Sequence, residues 1–490
     1  VDKAPPQVLL NFCLETERTT IYVRTNIVNT GSPPFLLAFA ATLVGMALLA
    51  MAGSRKIRTA EDFSLAGRQA GKWNVSGAIM GTLVGGASTV GTVQLAFLFG
   101  LSAWWFTLGA GLACLFLGLF MAAPLRDGAV ETIPQFISRF HGDRARIAAS
   151  LFSALGMFVH IVAQLLACGA ILSALFGISP FCAALISSLM VSLVTLGGGM
   201  RAAGPIGLLK LLFLYLTMAS AGFIAFRQAG GWEGLRSTFE PFPWFSLFGY
   251  GVREGISDLL SMLVGVVSTQ TYLQAVFSAK DRRSARGGAF ISAILIPPLG
   301  LFGVAVGLYM RQIRPNMDSV QALPSFLLSY LPPALSGVAF ATLLIAAVAT
   351  ASGLALGVGT TLKVDVFSRF RFAKRKDLMV MRSTTLAVIL FALLLLLANL
   401  GSVILQWSFL SMGLRGATLC FPLLAAIFLG KHTSARGGTL SIYLAPPCVI
   451  GAGLFGWQTI PPLYFGLLVS FTLILLGFLL ERRTYRNSGS

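Results

Sequence analysis

Few residues in this 490-residue chain are suited to chemistry, and their surroundings narrow what that chemistry is. Lys210 lies between Leu208, Leu209, Leu211 and Leu212. An ammonium inside an apolar helix must snorkel to a polar boundary, find partners or give up its proton. Glu254 and Asp258 are the acids that fall within an apolar stretch, four residues apart and therefore on one helical face. They attract a cation, pair with Arg253 or Arg415, or stay wet. His160 and Gln164 have the same spacing, as do Gln270 and Gln274. Amides donate and accept, so they suit a small polar molecule or hydrogen bonds between helices. His160 fits a ligand donor, a proton path or a packing role. Gly85-Gly86, inside the run from Gly81 to Gly91, is where a helix would break and free its backbone dipoles. Gly265 marks a second such place. There is no HExxH, no nucleophile elbow and no CxxC, and His141 and His432 stand outside the apolar stretches. Neither an enzyme nor a resident metal or cofactor is expected.

The elements that must position these residues are apolar helices. Hydrophobic residues make up 56% of the chain and charged residues 11%, where a soluble protein carries about 25%; mean hydropathy is +0.82. Thirteen stretches approach the roughly 20 apolar residues that cross a bilayer: 33–52, 74–98, 102–122, 147–176, 178–197, 203–226, 252–276, 288–310, 333–362, 383–405, 408–428, 439–457 and 462–480. The 53 glycines suit close packing and local unwinding of helices in lipid.

The net charge of +19 is distributed unevenly. Alternate connections hold Arg55, Lys56, Arg58, Arg68 and Lys72, then Arg126, Arg139, Arg144 and Arg146, then Lys280 to Arg286, then Arg369 to Lys376, then Lys431 and Arg436, then Arg482, Arg483 and Arg486. The other face has few basic residues. This positive-inside pattern predicts a multi-pass protein of the plasma (inner) membrane with its N-terminus outside and its C-terminus in the cytoplasm. Membrane lipid is the expected surrounding partner, and nucleic acid is not expected. The six cysteines read as small buried hydrophobes, except for Cys13 outside. Residues 1–32 read as an extracytoplasmic segment without a secretory signal. The outside loop 227–250, with Trp232, Phe239, Phe242 and Trp244, reads as a lid or an interfacial aromatic belt.

Six short motifs, in order and at the ends of these stretches, resemble the sodium:solute symporter family. They are Glu61-Asp62-Phe63-Ser64-Leu65-Ala66-Gly67-Arg68; Thr132-Ile133-Pro134-Gln135-Phe136; Ala163-Gln164; Asp318, Pro324 and Pro332 with Ser336-Gly337; Thr360 with Asp365; and Phe421-Pro422-Leu423-Leu424. The resemblance implies an all-α membrane fold with two inverted five-helix repeats, 74–226 and 252–428, whose helices are numbered one to ten below. Around this core lie a peripheral first helix (33–52), peripheral C-terminal helices (439–480) and a cytoplasmic tail (481–490). Five spans starting inside followed by five starting outside meet the topological demand of such a repeat.

The resemblance also implies a sodium site between the first and eighth core helices. Carbonyls from Thr82 to Gly86, Gly85 among them, would combine with Ala346, Ala349 and Thr350. The family's two consecutive hydroxyls on the eighth helix are reduced here to Thr350. On the fifth helix the family's T-D-x-x-Q is represented by Gly207 and Lys210, without the acid and without the glutamine. Two readings of Lys210 stand: a lysine snorkelling to the cytoplasmic headgroups, or an ammonium standing where an ion would stand and coupling transport to H⁺. The substrate route is expected at Gly85, Gly86, His160, Gln164, Asp258, Gln270 and Gln274. The function these features imply is sodium-coupled uptake of a small polar solute by alternating access. The alternatives are a proton-coupled or sodium-independent carrier with Lys210 as the cation surrogate, and a transporter-like solute sensor. Arg415, placed near the outer end of the tenth helix, keeps a carboxylate solute open.

Overall fold

The computed structural model describes residues 31–54, 66–197, 203–367, 377–398, 402–454 and 460–488. Cys13, Arg55, Lys56, Arg58, residues 61–65, 198–202 and 369–376, and most of the N-terminal segment lie outside them. Every regular element among the described residues is helical, with one isolated bridge between Ala70 and Ala279. The physical reason is that lipid offers backbone groups no hydrogen bonds, so a spanning segment must satisfy its own.

A peripheral helix, Pro33–Ser54, precedes the core. The first core helix is Lys72–Leu83 and, after a break, Thr92–Phe99; the second is Trp105–Phe116, extended by Ala122–Asp127. The third, Ile133–Phe176, opens on a capping box made by Thr132 and Gln135 and kinks at Gly142. The fourth and fifth are Pro180–Gly197 and Ala203–Gln228. The sixth is Val252–Val266 followed by Gln270–Phe277, the two bent by 41°. The seventh comprises Arg282–Leu295 and Pro297–Ile313, and the eighth is Pro333–Asp365. The ninth is Asp377–Leu397, displaced toward the N-terminus from the expected 383–405, and the tenth is Ile404–Phe428, which starts earlier than the expected 408–428 and ends at the same residue. Ala435–Leu454 and Pro462–Ser488 complete the chain. Seven described helices are long and apolar enough to cross a membrane, eight with the bent sixth helix, and three further apolar helices are shorter.

The packing follows a shift of five helices. The first helix packs on the fifth as the sixth packs on the tenth, and the first lies on the seventh as the sixth lies on the second. The third and eighth pack on each other at the centre. The first and sixth helices, which begin the two groups of five, are both broken near their middles.

On the side carrying the basic connections, the third and eighth helices are fastened by an ion pair. Arg146 donates to Asp365 at 2.7 Å, and the Thr132 hydroxyl adds a bond at 3.1 Å to the same buried carboxylate. Arg282 and Asp127 pair at 2.6 Å at the same face. On the opposite side the loop 239–250 folds over the start of the second helix. There the Trp105 indole donates to the Leu247 carbonyl at 2.7 Å and Gly249 N–H to Ser102 Oγ at 2.8 Å. The loop therefore covers that end of the core.

Candidate functional site

The break in the first helix is built from short side chains. Val84 turns extended, and the two glycines that follow would otherwise leave buried backbone groups unpaired. Ser88 Oγ accepts from Gly85 N–H at 2.9 Å, and Thr89 Oγ1 donates to the Gly85 carbonyl at 2.9 Å. Gly86 N–H is taken by Gln164 Oε1 of the third helix at 2.8 Å. Gly85 has no room for a side chain: a Cβ there would stand 2.6 Å from both Gln164 Oε1 and Thr350 Oγ1. In the sixth helix the break falls at Val267–Thr269 rather than at Gly265. Gly265 instead lets the tenth helix approach, since its Cβ would be 2.5 Å from that of Met412.

Lys210 is 1% exposed and does not snorkel. Its ammonium donates to the Gly81 carbonyl at 2.7 Å, to Thr350 Oγ1 at 3.1 Å and to the Ala346 carbonyl at 3.2 Å. Three N–H donors thus meet three oxygens, one set on the first helix and two on the eighth. Gly207, one turn earlier, permits this reach: a Cβ there would lie 1.9 Å from the Gly77 carbonyl oxygen. The residue standing where the family carries an acid is the one that brings the fifth helix against the first.

The expected ion ligands divide accordingly. Ala346 and Thr350 turn oxygens to the Lys210 ammonium, and the first helix contributes Gly81, one residue before the expected 82–86. Thr82 Oγ1 instead bonds back to Ala78 and Ile79 of its own helix, at 3.0 and 3.2 Å. Ala349 is half-buried and Gly85 is engaged within the break.

Of the expected solute residues, Gly85, Gly86, His160 and Gln164 converge. His160 is one turn before Gln164 and fully buried, and its Nδ1 lies 3.2 Å from Arg415 Nη2. Gln270 is placed differently: its Oε1 accepts from Ile133 N–H at 2.8 Å and its Nε2 donates to the Glu131 carbonyl at 2.9 Å, so both amide atoms tie the sixth helix to the start of the third. Gln274 is buried one turn on. Asp258 accepts a hydrogen bond from Tyr250, at the loop that covers the core.

Arg415 sits near the middle of the tenth helix, fully buried, and not at the outer end where the sequence placed it. A guanidinium among the apolar residues of that span was the signal the sequence carried. Among the described residues no group of three metal-binding side chains occurs.

A model of the sodium:solute symporter family matches residues 63–442. The chain belongs to the sodium:solute symporter family. A Bacillus subtilis (strain 168) relative, the uncharacterized symporter YwcA, is 24% identical over 358 residues, covering 68% of each chain. The Vibrio parahaemolyticus sodium/glucose cotransporter is 21% identical over 439 residues, covering 80% of this chain and 79% of that relative. The structure of a Na⁺-coupled sialic acid symporter in a substrate-bound outward-open state aligns with a TM-score of 0.75 at 18% identity, over 91% of this chain and 97% of that one. That likeness shows the inverted-repeat transporter fold. This member of the symporter family is a membrane transport protein and not an enzyme.

Proposed function

We propose that the chain is a secondary carrier that takes up a small polar solute by alternating access, with the Lys210 ammonium in place of a bound cation. The observation that carries this reading is the three-oxygen shell around Lys210, drawn from Gly81, Ala346 and Thr350. A bound cation draws two helices together by its oxygen contacts, and this ammonium does the same from a third helix. Loss of its proton leaves two N–H donors for three oxygens and removes the charge. The junction is then weaker, so the proton has a different affinity for the states in which the first and eighth helices are together or apart. That difference is what couples a gradient to a conformational equilibrium.

The solute route runs beside this junction, through Gly85, Gly86, His160 and Gln164. Gly85 leaves no room for a Cβ between the Gln164 amide and the Thr350 hydroxyl, and this closeness links solute occupancy to the ammonium shell. The proposed repeats, 74–226 and 252–428, are supported by the five-helix shift in packing. The orientation with the N-terminus outside rests on the basic connections.

A second reading, sodium-coupled symport, is favoured by family membership and by relatives named as sodium/glucose cotransporters. In it Na⁺ binds at oxygens other than those held by Lys210. Proteoliposome uptake of a solute panel under separately imposed Na⁺ and H⁺ gradients distinguishes the two. Accumulation driven by ΔpH in Na⁺-free buffer supports the ammonium reading, and accumulation only with inward Na⁺ supports the second. Saturable binding without uptake by either gradient would point to a sensor and contradict both.

A further inference from the structure

We infer that the transported solute is a small carboxylate, held through Arg415 with the help of His160, Gln164 and Tyr272. This rests on the carrier reading above and names its substrate class.

Lys210 and Arg415 are both buried in the core, and neither has an acidic partner among the described residues. The buried carboxylate of Asp365 is taken by Arg146, and Asp258 accepts from Tyr250. A guanidinium removed from water without a counter-charge is strongly disfavoured. Arg415 is only partly compensated by its own helix: Nε donates to the Ser411 carbonyl at 3.2 Å and Nη2 to Ser411 Oγ at 2.9 Å, while Nη1 has no partner.

The unpaired nitrogens on this side of the core are all donors, and the hydroxyls among the unpaired groups, Tyr272 included, can donate as well. Arg415 Nη2 can only donate, so His160 Nδ1, 3.2 Å away, must accept. The ring proton of neutral His160 is then on Nε2, which has no partner. Gln164 spends its oxygen on Gly86 N–H, and its Nε2 amide hydrogens have no partner. Tyr272 is fully buried, feels the Arg415 charge, and has a free hydroxyl. Donors without acceptors are therefore left on Arg415 itself, on the His160 ring that it touches, on Gln164 one helical turn further along, and on Tyr272, within reach of its charge. A ligand that only accepts and carries negative charge completes them, and a carboxylate offers two oxygens in the fork geometry that a guanidinium matches.

The helices close tightly on the stem of Arg415, where a Cβ at Gly156 would lie 2.3 Å from Arg415 Cγ, and Gly265 is closed against Met412. This close packing beside the guanidinium favours a small monocarboxylate over a long-chain acid.

The test uses full-length purified protein with pyruvate, lactate, lactamide and chloride as probes. Pyruvate and lactate are expected to raise the unfolding temperature saturably, with an apparent Kd at least about tenfold below that of neutral lactamide. Chloride alone is expected to have little effect. Arg415→Gln is expected to abolish the carboxylate response. Should that variant not fold, Tyr272→Phe, which removes only the hydroxyl, is expected to weaken pyruvate binding by about threefold to tenfold. Equal binding of lactamide and lactate, full stabilisation by chloride without carboxylate binding, or unchanged pyruvate binding in Tyr272→Phe would each overturn the inference. Pyruvate binding that needs Arg415 but brings no uptake supports the carboxylate site and contradicts the carrier reading. Uptake of a neutral solute that survives Arg415→Gln contradicts the carboxylate and leaves the carrier standing.

Discussion

Gln164 and Thr350 meet across Gly85, where a Cβ would stand 2.6 Å from an oxygen of each. One of these oxygens holds the broken backbone at Gly86, and the other accepts from the Lys210 ammonium. A solute that turns the Gln164 amide therefore acts within one residue of the junction between the first, fifth and eighth helices.

Gly85→Ala tests that adjacency. The added methyl must displace Gln164 or Thr350, and overpacking of this kind costs about 1–3 kcal/mol. The expected result is a folded protein whose uptake falls by at least about tenfold. Steady-state uptake together with thermal unfolding in detergent checks it, and wild-type uptake would show that the two side chains do not communicate through this residue.

Gly207→Ala should be more damaging to the fifth helix than to the fold as a whole. Its Cβ would meet the Gly77 carbonyl at 1.9 Å, so the helix must move away and Lys210 lose its reach to Gly81. Gradient-driven uptake is expected to disappear while equilibrium solute binding persists. Radiolabelled binding beside transport on the same preparation reads the difference.

The Arg146–Asp365 pair predicts an asymmetry. Arg146→Ala leaves a buried carboxylate without its cation, a defect of about 3–5 kcal/mol. Asp365→Asn leaves Arg146, whose side chain is 24% exposed, free to reach water. Thermal unfolding should therefore be lowered more by Arg146→Ala than by Asp365→Asn, and the reverse order would mean that the pair does not hold the third and eighth helices together.

Gln270→Leu should change rate more than affinity. Both of its amide atoms fasten the sixth helix to the backbone at Glu131 and Ile133, and removing them leaves buried groups unpaired at about 1–3 kcal/mol each. A lower maximal uptake rate with an unchanged half-saturating concentration is expected. A shift confined to the half-saturating concentration would place Gln270 on the solute instead.

Much of the fold was legible because lipid imposes a simple rule: apolar length gives helices, and Gly85-Gly86 gives a break. Lys210 was legible as an anomaly, since nothing but specific oxygens or a polar boundary tolerates an ammonium among leucines. Side-chain direction was not. Gln270 and Gln164 look alike in sequence, yet one spends both amide atoms on backbone and the other keeps its nitrogen free. Thr82 could not be told from Thr350, because any helical threonine can donate its hydroxyl back to its own helix, and only the packing decides whether its lone pairs also meet an ammonium. Arg415 depended on where the tenth helix starts, and the start at Ile404 moved it to mid-helix.

The most direct measurement is uptake into Na⁺-free proteoliposomes under an imposed pH gradient with the membrane potential clamped, comparing wild type with Lys210→Gln. Concentrative uptake is expected of the wild type, and the variant is expected only to equilibrate solute and no longer to respond to the gradient. Gradient-driven accumulation that Lys210→Gln retains, or accumulation by the wild type that requires Na⁺, would contradict the placement of the Lys210 ammonium as the coupling cation.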